Sequence, residues 1–337
     1  MNNLNNKFII NLDVDGGDNA PISVLKGAEL YLTANQNVRF ILYGRKSIIQ
    51  SHIKNLPLLI NSSSIIDCEG VIDGNLKPTE AMKKEFRNSS LAKSISSLKN
   101  HPLEATVSSG NTGAMMAYSK IFLRTIENIS RPAIASLLPS KNHPVCFLDL
   151  GANSECDEKN LFDFAIMGSI YYEIFFPNSR PKVSLLNIGS EELKGNTTIQ
   201  KTHELLKNTK SVNYNGFIEA NEITNTENHV IVTDGFTGNI AIKTAEGISK
   251  FITDALKKHL LSNLFSKIFT FFLKSHLKSF KNSIDPRNFN GGILLGIDGI
   301  VIKSHGNADD YAFCNAIGFA VKCLENNLLK RIKDNAK

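Results

Sequence analysis

The chain has 337 residues, 42% of them hydrophobic and 21% charged, with a formal net charge of +6. These are globular proportions, so wholesale disorder is excluded, and the length suffices for one large α/β unit or two lobes. Five scattered cysteines (Cys68, Cys146, Cys156, Cys314 and Cys323) without a CxxC pair argue against a disulfide framework or a zinc site and for reduced thiols in a cytoplasm.

The first fourteen residues lack a basic n-region and a long apolar stretch, so no signal peptide is expected. No run approaches the roughly eighteen apolar residues of a bilayer span. Phe8 to Val14 reads as a buried first strand, followed by the turn Asp15–Pro21 with two adjacent glycines and a helix from Ser23. Val38 to Tyr43 is a second strand, with a helix through His52, and Ile65 to Cys68 a third. Gly74 to Asn100 is polar and serine-rich, and reads as a solvated amphipathic helix or a lid over a site.

Ala105 to Tyr118 (ATVSSGNTGAMMAY) combines a strand end, a small polar turn and a helix start. Free amides and the positive end of the helix dipole at Ser108–Gly113 make an anion site; an ordinary capped loop is the bland alternative. Ala133 to Leu138 is apolar, and Val145 to Leu150 is a strand ending in Gly151–Ser154. Leu161 to Phe175 is a helix with an aromatic stripe. Lys182 to Ile188 is a strand ending in Gly189–Asn196, with a helix over Thr197–Lys207. His229 to Thr233 is a strand ending in Asp234–Asn239, with a helix from Ile240 that carries Lys243 on its first turn. Gly291 to Lys303 is a strand leading to Ser304–Ala308 and a helix to Leu329.

Strands alternating with helices, with short glycine-bearing loops after the strands, predict a doubly wound, mainly parallel α/β sheet over residues 1–337, helices on both faces. Ligands of such sheets sit beyond the strand C-termini, where these loops are expected to converge.

Residues 255–284 stand apart as an amphipathic helical insertion. They hold six lysines and no acid, and without them the chain is formally neutral. An aromatic-rich apolar face bordered by lysines fits an anionic membrane surface; a dimer interface is the alternative. The expected membrane contacts are Lys267, Phe269, Phe271, Phe272 and Lys274. A diffuse nucleic-acid surface is not expected.

The chain lacks GxxxxGK[ST], a post-strand GxGxxG, GxSxG and paired histidines at metal spacing. No metal or cofactor is therefore expected. What remains is amides, hydroxyls, asparagines and lysines, which suit an oxyanion such as phosphate serving as its own nucleophile.

The motifs DGGDNAP (15–21), KPTEAM (77–82), SSGNTGAMMA (108–117), RPAIASLLP (131–139), LDLGAN (148–153), LLNIGSEELKGN (185–196), TDGFTGNIAIKTAEG (233–247) and IVIKSHG (300–306) resemble the bacterial phosphate acyltransferase family PlsX across nearly the whole chain. The resemblance implies transfer of a long acyl chain from acyl carrier protein to inorganic phosphate, giving acyl phosphate. A membrane glycerol-3-phosphate acyltransferase would consume it for phospholipid synthesis. It also implies a homodimer, a fold akin to phosphate acetyltransferase, and a cytoplasmic protein held peripherally at the inner face of the membrane.

On that basis Ser109, Gly110, Asn111, Thr112 and Gly113 would cradle phosphate. Lys194, Asn196, Asn239 and Lys243 would hold phosphate or polarise the thioester carbonyl. Asn153, Lys303 and His305 are further candidates, with His305 able to protonate the leaving thiolate, and Gly195, Asp234 and Gly238 line the same loops. Two departures stand out. Asp15 replaces a usual Met, and Gly292-Ile293 a usual Ala-Pro; a carboxylate at 15 would repel phosphate unless it points away or is paired. Acyl exchange between coenzyme A and phosphate, and a phosphate-binding membrane scaffold, are the rival readings.

Overall fold

The computed structural model describes residues 8–177, 179–260, 273, 275 and 285–336. Short apolar runs pair into one eleven-stranded sheet because their alternate side chains can be covered on both faces. The first part of the chain forms β1 (Phe8–Asp13), α1 (Ile22–Ala34), β2 (Val38–Gly44), α2 (Lys46–Ile53), α3 (Pro57–Ser62), β3 (Ser63–Asp67), α4 (Pro78–Ala81), α5 (Ser90–Ser96), β4 (Glu104–Ser108) and α6 (Thr112–Phe122). It continues with β5 (Ala133–Leu138), β6 (Val145–Leu148), α7 (Glu158–Phe175), β7 (Lys182–Leu186), α8 (Thr197–Lys207), β8 (Asn213–Ile218), β9 (Val230–Val232) and α9 (Gly235–Leu260). After the insertion come β10 (Gly292–Leu295), β11 (Ile300–Lys303), α10 (Asp310–Glu325) and α11 (Leu328–Asn335). No described helix is long and apolar enough to cross a membrane.

The strand order is β3-β2-β1-β4-β11-β10-β5-β6-β9-β7-β8. Pairing is parallel from β3 to β11 and from β6 to β8, and antiparallel where β10 meets β11 and β5 and where β5 meets β6. The sheet is therefore mainly parallel, as expected, but its two parallel halves run in opposite senses. The loops after the strands form two groups rather than a single convergent one.

The pleat sorts side chains. Ile10 and Leu12 of β1 join a core with α1, α7 and α10, while the other face packs Leu91, Ile95, Met115 and Tyr118 of α5 and α6 against Ile134, Leu294 and Val301. Helices thus cover both faces.

Two segments differ from the sequence expectation. Gly291 to Lys303 is a hairpin rather than one strand, because Gly296 takes a φ of +88° and the Gly-Ile-Asp-Gly turn reverses the chain. Within Gly74–Asn100, α5 is a core helix: Ser89, Ser90 and Ser94 are buried, and their hydroxyls satisfy nearby acceptors or cap the helix instead of meeting water.

The start of α9 is set against the end of β6 by Gly238, where a Cβ would collide with the backbone carbonyl of Asp149. Helix propensity alone would favour alanine there by about 1 kcal/mol. Overpacking against backbone, which cannot rotate away, costs about 1–3 kcal/mol, so the clash dominates. Gly238→Ala is expected to lower the free energy of urea unfolding by about 1–2 kcal/mol; unchanged or greater stability would contradict this packing.

Candidate active site

The first loop group follows β1, β4 and β11. Asp13, at the end of β1, is fully buried and accepts hydrogen bonds from Ser90 Oγ at 2.5 Å and Ser108 Oγ at 2.6 Å. Burial pushes its carboxyl pKa up, while the two hydroxyls and the charge of Lys303 pull against that. The Gly110 amide donates to Ser108 Oγ at 2.9 Å, so one carboxylate orders both turns. Gly17, with a φ of +107°, lets the first turn pass against Ser109. Asp18 N–H donates to Gly306 O and Asn19 Nδ2 to Asn307 O, which clasps this turn to the loop after β11.

The sequence-selected residues play different parts here. Asn111 is the N-cap of α6, its Oδ1 accepting from Ala114 N–H; its Nδ2 donates to the carbonyls of Asp73, Gly74 and Leu76. Its side chain is thus spent on holding the preceding segment over the turn. The amides of Thr112 and Gly113 lie in the first helical turn, where no intrahelical acceptor exists, and Ser109 Oγ is buried with no protein partner. Lys303 Nζ donates to Ser109 O at 3.2 Å and to Ser304 O. Its burial lowers its pKa to about 8, with Asp13 and Asp18 opposing the shift and Lys243 adding to it. Asn290, which the sequence reading missed, accepts from His305 N–H at 2.9 Å and donates to Ser304 Oγ and Ala312 O. It fixes the turn that carries His305.

The departure at Asp15 is compensated by an arginine. Its carboxylate accepts from the Arg45 amide at 3.1 Å and faces the guanidinium Nε at 3.4 Å.

The second loop group follows β6, β7 and β9 and centres on buried Asp149. Oδ1 accepts from the amides of Ile134, Gly151 and Ala152, and Oδ2 from the amide and side-chain Nδ2 of Asn153, all within 3.1 Å. Burial raises the Asp149 pKa and these donors lower it. Asn153 gives its remaining side-chain hydrogen to Pro132 O, so it acts in the scaffold. Asp234 accepts from Thr237 N–H and Oγ1 at the start of α9. Asn239 lies against Gly151 and is exposed. Lys194 is exposed, and its carbonyl is held by Nδ2 of buried Asn187 at 3.1 Å. Gly195 presses so closely on Asn187 Oδ1, at a φ of +96°, that a side chain there would collide with it. Asn196 caps α8 through Ile199 N–H.

The groups are linked through α9. Lys243 Nζ meets Glu246 Oε2 at 2.7 Å, and Glu246 Oε1 lies 3.9 Å from His305 Nε2. Lys243, Lys303, His305 and the Ser109 turn are thereby gathered together. Among the described residues no hydrogen bond or ion pair joins Lys194 or Asn196 to that turn. Lys267, Phe269, Phe271, Phe272 and Lys274 lie outside the described residues.

This sheet, with its loop-borne amides and lysines, has the fold of the phosphotransacetylases. The Streptococcus pyogenes phosphotransacetylase superposes with a TM-score of 0.66 at 14% identity, covering 95% of this chain and 94% of that one. The EutD phosphotransacetylase of Staphylococcus aureus gives 0.61 at 16% identity over 95% and 94%. The family model described as fatty acid synthesis protein matches residues 8–331, and the chain belongs to that family. It is 42% identical to the phosphate acyltransferase of Pelagibacter ubique, over 97% of this chain and 98% of that protein. It is 40% identical to that of Wolbachia pipientis wMel, over 98% and 97%. By family the protein is an acyltransferase.

Lys303 sets a pH expectation. Its cationic form is depleted as pH rises through about 8 rather than through the ordinary lysine range. If it holds an anion, the KM for phosphate should rise roughly fivefold between pH 8 and pH 9. Lys303→Met should abolish this rise, and the same slope in the variant would exclude Lys303 as its source.

Proposed function

We propose that the protein transfers a long-chain acyl group from acyl carrier protein to inorganic phosphate, forming acyl phosphate for phospholipid synthesis. The observation that carries this reading is a cleft of cations and amide donors in which, among the described residues, the Ser109 hydroxyl meets no base that could activate it. Cys156, the cysteine near Asp149 and Asp234, has its thiol pKa pushed up to about 12 by burial, so it is not a thiolate at neutral pH. The nucleophile then comes from the substrate.

A phosphate oxygen attacks the thioester carbonyl carbon, and the C–O bond forms as the carbonyl oxygen takes the negative charge. That oxyanion collapses, the C–S bond breaks, and the carrier thiolate takes a proton. Lys194 and Asn239 stand as donors to the oxyanion, Lys243, Lys303 and the Ser109–Gly113 turn as holders of phosphate, and His305 as the acid. Ile188 and Leu193 beside Lys194, and Phe236 and Ile240 beside Asn239, are exposed apolar side chains suited to an acyl chain. They favour a lipid substrate over acetyl-coenzyme A.

The working form is a homodimer. Ile248, Phe251, Ile252 and Leu256 leave an apolar face exposed toward the C-terminal end of α9, and a second copy would cover it. Residues 255–284 attach the enzyme to the anionic inner face of the membrane, where a glycerol-3-phosphate acyltransferase uses the product.

The test is release of carrier thiol from palmitoyl-acyl carrier protein with and without inorganic phosphate, beside acetyl-coenzyme A. Phosphate-dependent release from the carrier with acyl phosphate formed is expected, and Lys194→Ala should lower kcat by about 100-fold or more. Release without phosphate would mean a thioesterase, and preference for acetyl-coenzyme A a short-chain enzyme.

A further inference from the structure

Glu246 stands where the two halves of the sheet meet. It is half-exposed on α9, one turn beyond Lys243, and Nζ of that lysine approaches its Oε2 at 2.7 Å. Its other oxygen faces Nε2 of His305 at 3.9 Å, beyond a hydrogen bond. Lys243 is close enough to Lys303 for the two charges to repel, and Asp13 and Asp18 face Lys303 from the other side. A lysine from one half and a histidine from the other thus share one carboxylate, with a second lysine behind. An exposed ion pair within one helix contributes little to stability, so folding gives no strong reason for a carboxylate among these cations.

Its chemistry does. A carboxylate oxygen accepts the same charge-assisted hydrogen bonds as a phosphate oxygen, and a dianion competes well for them. We propose that Glu246 is a positioning residue for the acyl transfer: it keeps Lys243 and His305 turned into the cleft of the ligand-free protein and yields Lys243 to incoming phosphate. This rests on the acyl-transfer reading above. At 3.9 Å the carboxylate orients His305 through charge and not through a hydrogen bond, so the Nε2 position stays open to the departing sulfur.

The test compares Glu246→Gln and Glu246→Asp with the unchanged full-length protein. Thermal unfolding is followed against inorganic phosphate without turnover, and kinetics are measured with palmitoyl-acyl carrier protein. Removing the competing charge in Glu246→Gln should lower the half-saturating phosphate concentration at least threefold. The KM for phosphate and kcat should fall together, because phosphate meets less competition while Lys243 and His305 are less well aimed. Glu246→Asp should restore much of both. A half-saturating concentration that stays the same or rises overturns the proposal, including where only the midpoint without phosphate falls, as a structural role would give. An unchanged protein that makes no acyl phosphate overturns the acyl-transfer reading and this proposal with it. Acyl phosphate formation with an unmoved phosphate dependence in Glu246→Gln overturns this proposal alone.

Discussion

Asp149 takes five N–H donors on two carboxylate oxygens at a fully buried position. Loss of that carboxylate would leave five donors to find other acceptors away from water, where each unsatisfied group costs about 1–3 kcal/mol. The turn at Gly151–Asn153 is wound around it, and Gly235 and Gly238 are small because α9 starts directly against it. Asn239 and Lys243 therefore inherit their positions from a residue that touches no solvent. Asp13 plays the corresponding part in the other half, with two serine hydroxyls and the charge of Lys303 in place of the amides. Burial opposes ionisation and raises the pKa at both sites, and the donors offset only part of it.

The opposed halves of the sheet explain why a long helix is needed. The ends of β4 and β11 and the ends of β6 and β9 leave the sheet in opposite senses, so loops alone do not bring them together. At about 1.5 Å per residue, Lys243 lies about 12 Å along α9 from Gly235. That reach carries its ammonium from the second loop group to the neighbourhood of Lys303 and His305. Across the crossing, Glu246 faces His305 at 3.9 Å, while Ala241 of the same helix packs on the apolar cluster around Val145, Phe147 and Ile231.

Most strands and their loops were legible because an apolar run followed by glycine and asparagine has few other meanings. The hairpin of β10 and β11 was not, since GGILLGIDGIVIK is apolar on both sides of a turn whose reversal depends on Gly296 taking a positive φ. The serines of α5 read as solvated, yet they lie in the interior with backbone and carboxylate acceptors supplied by segments far away in the chain. Among site residues, the glycine and asparagine turns were recognised but their division of labour was not. Asn111 and Asn153 proved to be clamps, because an amide with local acceptors satisfies them first. Asn187, Asn290, Asp13 and Glu246 gain their meaning only from partners that sequence distance conceals.

The electrostatic balance of the cleft bears on what it can discriminate. Asp15 would be an intruder beside an anion, but the Arg45 amide and guanidinium neutralise it from β2's end of the sheet. Asp13 and Asp18 similarly face Lys303. The cleft is therefore a set of partly compensated charges, not an unrelieved basic patch. On the reading proposed above, this balance would suit a small, highly charged anion that takes amide hydrogen bonds on several oxygens at once.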